Sequence, residues 1–499
     1  MLGMMSTNNR ILNLVTCIVL FCVVAVSGKQ GNTQEKPTYY IDVMAVVDYS
    51  VYIKFLTEAG SNKTAAEENI REYYAFIFDG VDQRYQSITT DYTIRVFLGY
   101  VMVLNIVELS PFATNDSIDV DPEEAMLTFK GWISQFKYSY ITYDHFMLFT
   151  AIKIKDKETN PYSLGISYQS SICEGDNRSV SIIHEKNDYE SIHLAAHELG
   201  HSLSAEHDGE GNNCSSTERY IMSAGYHQET TMNQAWYFST CSLKKFNLYI
   251  RALLSNYGGG RQCLTESIPR DSKIPDVSGR LLGHEIQPDL QCQLLFGPST
   301  GYRRNITNKG SIMCKEMQCY DATSKKITKR PALDGTICGN LKICRLGQCV
   351  SDPRAPEVEE SCMFGDQPGI IDNGKTCPQL VKHSALCYYF PLVRQTCCKS
   401  CQAELAVRYF VEVGNITMCR SCQPRETPLS GCENSKRRLK KITSKFVCFS
   451  NARWCCYSCM RTNRTFQSEW NGDKKKLTWL LPLIFIIIVV MIIFFFCCR

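Results

Sequence analysis

Apolar residues along this chain gather into runs whose spacing predicts distinct elements. Tyr39 to Asp48 reads YYIDVMAVVD, a β-branched apolar run that predicts a strand. Tyr92 to Val103 and Asp144 to Ile154 predict two more. Between them, Ile70, Tyr73, Tyr74, Phe76, Ile77 and Val81 recur at helical spacing and predict a helix from Ala65 to Ser87. Asn187 and Glu190 stand at capping-box spacing and predict the start of a second helix just beyond them. Longer apolar stretches lie at both ends. Ile11 to Val26 follows Arg10 and closes on Ala25-Val26-Ser27, so residues 1–27 read as a cleaved signal peptide. Leu477 to Phe496 is long enough to cross a bilayer core of ~30 Å, so residues 477–496 read as a transmembrane helix. Lys474 to Lys476 would then lie outside, against the usual charge bias. Asn471-Gly472-Asp473 before a short spacer keeps a cleaved GPI signal open as the alternative.

Composition changes this picture in one respect. The 499 residues carry a net charge of +4 and 44% apolar residues, which fits globular domains and gives no support for nucleic-acid binding. The 27 cysteines do matter, because so many in one chain point to an oxidising compartment and a disulfide framework. Sequons at Asn62, Asn115, Asn177, Asn305, Asn415 and Asn463 agree with the secretory pathway; a further one at Asn213 adjoins Cys214. The cysteines also divide the second half of the chain. Residues 289–350 hold six, residues 360–403 another six, and residues 417–461 seven. The last two clusters both end in CCxSC, a weak internal repeat (Cys397-Cys398-Lys399-Ser400-Cys401 and Cys455-Cys456-Tyr457-Ser458-Cys459). Modules this small lack a large core and depend on bridges. Arg437 to Lys441 is a short basic run, read as a solvated face.

The candidate chemistry is concentrated in HELGHSLSAEHD, residues 197–208. His197 and His201 are four apart and share a helical face, so they can grip one ion. Glu198 beside them can reach a metal-bound water as general base, and His207 adds a third imidazole. His193 extends the four-residue repeat, but only the His197/His201 pair has both the following Glu and the downstream His, so His193 is read as metal-free.

This run resembles the extended HExxHxxGxxH motif of the metzincins, and Asp208 after the third His narrows the resemblance to the adamalysin/reprolysin family, ADAM-TS enzymes in particular. Ser204 stands where the motif has glycine. Tyr220-Ile221-Met222-Ser223 resembles the family's Met-turn, with Met222 under the metal and Asp208 holding the segment after His207. Tyr39 to Asp48, Asp144 to Thr150, Gly165-Ile166-Ser167-Tyr168 and Phe246 to Leu254 resemble the family's opening strand, central strand, edge strand and C-terminal helix. The resemblance implies a catalytic domain over 37–267, an α/β fold with a twisted, mixed, mostly parallel sheet plus helices. Small disulfide-rich modules and a C-terminal hydrophobic anchor follow it. It implies one catalytic Zn2+ on His197, His201 and His207, a structural Ca2+ near Asp42 and Glu266, and the bridges Cys173–Cys263 and Cys214–Cys241, although sequence alone allows three pairings. Residues 289–350 resemble the ADAM-TS disintegrin-like/cysteine-rich module, and the CCxSC clusters resemble PLAC or ShK-type modules. The function implied is an extracellular zinc endopeptidase at the outer face of a membrane, or shed from it, acting on matrix or cell-surface proteins through zinc-activated water. The alternative is a proteolytically silent adhesion or decoy protein acting through its cysteine-rich modules. A zinc-blocking prodomain of the ADAM kind would have no room between Ser27 and Tyr39.

Overall fold

The computed structural model describes residues 36–403, apart from 113–119, 136–142, 156–161, 175–176, 226–233, 256–259, 305–309, 370, 372–373, 383–385 and 388–389. The signal segment, the 417–461 cluster, the basic run and the apolar stretch 477–496 lie outside the described residues, as do Asn115, Asn305, Asn415 and Asn463. Among the described residues, no helix is long and apolar enough to cross a membrane.

The first strand explains the architecture. Strand β1 (Thr38–Val47) is buried from Ile41 onward, with apolar residues on both faces. Ile41, Val43, Ala45 and Val47 pack with one core cluster; Met44 and Val46 pack with a second. A strand covered on both sides reads as a continuous apolar run, as parallel strands between helical layers do. β1 pairs in parallel with β2 (Thr93–Val103) on one side and β3 (His145–Thr150) on the other. A two-stranded pair, β4 (Ile154–Lys155) with β5 (Tyr162–Ser163), stands apart from the sheet. β7 (Val180–His184) continues the main sheet in parallel beside β3, and β6 (Gly165–Ser167) closes it antiparallel, giving the order β2-β1-β3-β7-β6. The sheet is therefore mixed and mostly parallel, with β6 at its edge.

Two helices not foreseen from periodicity join the predicted ones. Helix α1 (Tyr49–Glu58) starts at Asp48, whose carboxylate accepts from Val51 N. Helix α2 (Lys63–Gln86) matches the periodic stretch and is capped by Asn62, whose side chain accepts from Ala65 N. Helix α3 (Pro122–Ser134) starts at Asp121 with proline in its first turn. Ile70, Tyr74 and Ile77 of α2 cover one face of the sheet; Met126 and Phe129 of α3 cover the other. Helix α4 (Ser191–Ser202) lies on the α2 side, with Ala195 and Leu199 in the same core cluster. Helices α5 (Thr240–Ser255) and α6 (Gly260–Thr265) follow.

The start of α4 differs from the predicted capping box. Glu190 makes no side-chain cap bond, and Asn187 sits in the left-handed region at φ 64°. The turn is held from elsewhere: Glu185 accepts from Asn187 N (2.7 Å) and Ser191 Oγ (2.8 Å), and Asp188 accepts from Glu190 N (3.0 Å). With its backbone held this way, Asn187 caps nothing, and its side-chain amide is buried without a hydrogen bond.

Beyond α6, the second module holds two three-stranded antiparallel sheets. One orders β10 (Ile327–Arg330), β9 (Met317–Asp321) and β8 (Thr300–Tyr302); the other orders β11 (Ile337–Gly339), β12 (Lys342–Arg345) and β13 (Gln348–Ser351). Its small core is built around the bridges Cys292–Cys319, Cys314–Cys344 and Cys338–Cys349. The next cluster is tied by Cys362–Cys398, Cys377–Cys397 and Cys387–Cys401. Ahead of the second module, Cys173 is bonded to Cys263 and Cys214 to Cys241.

Candidate metal centre

Helix α4 carries His197, Glu198 and His201 on one side while Leu194, Ala195, Ala196 and Leu199 are buried. The helix must end sharply for His207 to return. It does so at Ser204, which adopts φ 81° with its N–H on His201 O (2.8 Å), while Ala205 N bonds Gly200 O (3.0 Å). A serine there costs roughly 1–2 kcal/mol that glycine would not. The strain is borne, and the chain turns back.

The three imidazoles then converge. His207 Nε2 lies 3.2 Å from His197 Nε2 and 3.1 Å from His201 Nε2. Zinc–nitrogen bonds of ~2.0–2.1 Å at tetrahedral angles need ligand nitrogens roughly 3.3 Å apart. Each ring's other nitrogen faces an acceptor: His197 Nδ1 is 2.6 Å from Ile221 O, His201 Nδ1 2.8 Å from Ala205 O, and His207 Nδ1 3.0 Å from a Glu210 carboxylate oxygen. These partners place the proton on Nδ1 and leave the Nε2 lone pairs pointing at one another, as a metal requires. Burial favours the neutral form as well, pushing His201 down to about 4 and His197 well below the ordinary value, with neighbouring imidazoles adding to the effect. The donor set fits zinc.

Met222 is fully buried beneath α4: a Cβ at Gly200 would fall 2.5 Å from its Sδ. Its carbonyl accepts from Asp208 N (2.9 Å), and the Asp208 carboxylate accepts from Ser239 Oγ (2.6 Å) just ahead of α5. The Cys214–Cys241 bridge ties the same loop to α5. His193 stands apart from the trio. Its Nδ1 faces Ala235 O at 3.3 Å, and burial lowers it to about 4.

Glu198 is buried against the edge strand. Ser167 Oγ lies 2.9 Å from Glu198 Oε2 and 3.0 Å from the Glu198 carbonyl. Burial pushes the carboxyl up to about 8, and the Ser167 hydroxyl pulls part of the way back. Gly165 leaves the room: a Cβ there would sit 2.4 Å from Glu198 Oε1. Sequence reasoning did not single out Gly165, Ser167, Ile221 or Glu210 as partners of these groups. The only local signal was Glu210, three residues past His207.

The expected calcium site finds no support among the described residues. Asp42 is buried, and its two carboxylate oxygens accept from Ser267 Oγ (3.1 Å) and Ile268 N (2.8 Å). Glu266 is exposed, and no metal-ligand cluster among the described residues contains either. Of the sequon asparagines described, Asn62 is exposed and Asn177 is half-buried at φ 63°.

Comparison with known proteins agrees with this geometry. Residues 39–267 match the Reprolysin (M12B) family zinc metalloprotease model, and residues 283–350 match ADAMTS cysteine-rich domain 2. A Bombyx mori protein, "A disintegrin and metalloproteinase with thrombospondin motifs like", is 25% identical over 65% of this chain and 47% of its own length. Human "A disintegrin and metalloproteinase with thrombospondin motifs 19" is 28% identical over 44% of this chain and 18% of its own. Human "A disintegrin and metalloproteinase with thrombospondin motifs 18" is 34% identical over 42% of this chain and 16% of its own. The chain thus spans less than half the length of each of these relatives.

Proposed function

We propose, from the premise that residues 39–267 form a reprolysin (M12B) domain and residues 283–350 an ADAMTS cysteine-rich domain, that this chain is a zinc endopeptidase of protein substrates. The observation that carries the reading is the convergence of His197 and His201 Nε2 to within 3.2 Å of His207 Nε2, on the helix that also buries the carboxyl of Glu198. His197, His201 and His207 are the residues that would hold the metal. Zinc bound there supplies a Lewis acid for a carbonyl oxygen and lowers the pKa of water to about 7.

The chain's own groups supply the rest. Glu198 accepts a proton from the attacking water and returns it to the leaving amine, so one carboxyl serves as base and then acid. Ser167 holds that carboxyl by its hydroxyl. β6 lies at the sheet edge, where an extended peptide can add as a further strand and bring its scissile bond past Glu198. Met222 supports α4 from below and takes no part in proton transfer. Eight disulfides among the described residues support an extracellular site of action. Membrane attachment through 477–496 belongs to the same proposal and rests on the sequence alone.

The test is cleavage of a denatured protein by the purified chain, with and without a zinc chelator, beside Glu198→Gln. The reading expects chelator-sensitive cleavage restored by Zn2+, and a Glu198→Gln variant that keeps its zinc but loses at least ~10²-fold in rate. A folded chain carrying one zinc and cleaving nothing would overturn it in favour of adhesion through the cysteine-rich modules.

A further inference from the structure

The cysteine-rich module touches the metal-site region at two separate places, the start of α4 and the Trp236-Tyr237 segment, and the second contact leads by hydrogen bonds to His197. The first is a buried ion pair. Glu190, the residue before α4, is 8% exposed, and its Oε1 lies 3.3 Å from Nε of Arg330, itself 3% exposed at the end of β10. The other carboxylate oxygen of Glu190 faces Lys186 Nζ at 3.4 Å. Arg330 also lies over the Phe296 ring, 5.8 Å from its centroid. The guanidinium is thus fixed by the module and reaches across to the first turn of α4.

The second contact is the tip of the β12–β13 hairpin, Leu346-Gly347. Gly347 has φ 72°, and a Cβ there would fall 2.4 Å from the Trp236 ring, so the tip is seated on the segment behind the metal. Asp334 Oδ1 fixes the tip by accepting from Leu346 N at 2.7 Å. Tyr237 Oη donates to Leu346 O (3.4 Å) and accepts from Gln348 Nε2 (3.3 Å). Tyr237 O in turn accepts from Ile221 N (2.9 Å), and Ile221 O holds His197 Nδ1 (2.6 Å). A short hydrogen-bonded path therefore runs from the hairpin tip to a metal ligand.

We propose that the cysteine-rich module is a clamp on the metal centre: Arg330 and the Leu346-Gly347 tip are positioning elements that set the geometry, and hence the zinc affinity, of the trio on α4 and its return loop. The inference rests on the zinc-binding reading above. Groups that orient metal ligands from behind are worth 10–100-fold in metal affinity when lost, because a loosely held imidazole must be ordered by the metal itself. The clamp makes the module part of the site and not a spacer.

The full-length chain is tested as Arg330→Met and Gly347→Ala, with Arg304→Met as control. Arg304 pairs with Asp289 inside the module. Zinc affinity is read by competition with a chromophoric chelator, and amide exchange is followed over Ser191–His197 and over α2. The clamp expects about tenfold weaker zinc and about tenfold faster exchange in α4 for both variants, with α2 unchanged and Arg304→Met within twofold of wild type. Should Arg330→Met fail to fold, Gly347→Ala and the control decide alone. Wild-type affinity and exchange in folded variants overturn the clamp, as does an equal loss in Arg304→Met, which would make it a general effect of module integrity. A wild-type chain that binds no zinc overturns the functional reading instead; exchange in α4 then still reads the clamp.

Discussion

Adding one methyl group at Gly165 tests the geometry around Glu198, the proposed general base. The Cβ of Gly165→Ala would lie 2.4 Å from Glu198 Oε1 and 2.9 Å from its Cδ and Cγ, against 3.4 Å or more in ordinary contact. The carboxyl must therefore retreat by about 1 Å, and a displacement of that size at a reacting group costs roughly 10²-fold in rate. That is about 2.7 kcal/mol of transition-state stabilisation. The backbone of Gly165 is not in the left-handed region, so alanine brings no conformational strain there. Overpacking lowers stability by about 1–3 kcal/mol, which leaves the chain folded at 25 °C. The methyl points at Glu198 and not at the three Nε2 atoms, so zinc affinity is expected within threefold of wild type. The assay is kcat and KM on an internally quenched peptide, beside zinc competition on the same protein. A kcat within threefold of wild type would refute the reasoning, and so would a loss of kcat that follows a loss of zinc.

Three further outcomes are expected. Ser167→Ala removes the hydroxyl on Glu198 Oε2; kcat should fall about tenfold with KM within twofold, and Ser167→Thr should restore it, whereas an unchanged kcat would leave Ser167 without a role. Ser204→Gly relieves the left-handed serine at φ 81° and should stabilise the fold by about 0.5–1 kcal/mol in urea unfolding, the gain being reduced by the greater freedom of glycine in the unfolded chain; a destabilised variant would contradict the strain. His145 lies between Ser179 (3.1 Å) and Ser181 (2.8 Å), and burial lowers it to about 3 from an ordinary 6.5. The unfolded chain then binds the extra proton between those values, so this residue's contribution to stability is full above pH 6.5 and falls with acidity. Wild type should lose about 2 kcal/mol more than His145→Gln between pH 7 and pH 5, and parallel curves would refute it.

How much of this was written in the sequence follows from the range of each interaction. The candidate metal ligands were legible because His197 and His201 are related by one helical turn, and His207 by a short return loop. β1 was legible because burial on both faces leaves a continuous apolar run, and α2 because apolar residues recur at helical spacing, although Tyr73 to Phe78 are buried without a break. Helices α1 and α3 left weaker marks, chiefly the caps at Asp48 and Asp121. Other features depended on partners far along the chain. The capping box failed because Glu185, held among Tyr73, Tyr74 and Ser191, had already set the turn. The calcium reading gained no support, and the donors that Asp42 does meet, Ser267 and Ile268, lie more than two hundred residues on. Ser167 became the partner of Glu198, and Arg330 of Glu190, only when separate segments packed together. The sequence alone determined the candidate metal-binding groups and the elements that carry them, since neighbouring residues are bound to one another by the covalent chain. Tertiary structure alone decided what holds each group in place, because a buried polar atom must take its partner from whatever part of the fold closes over it.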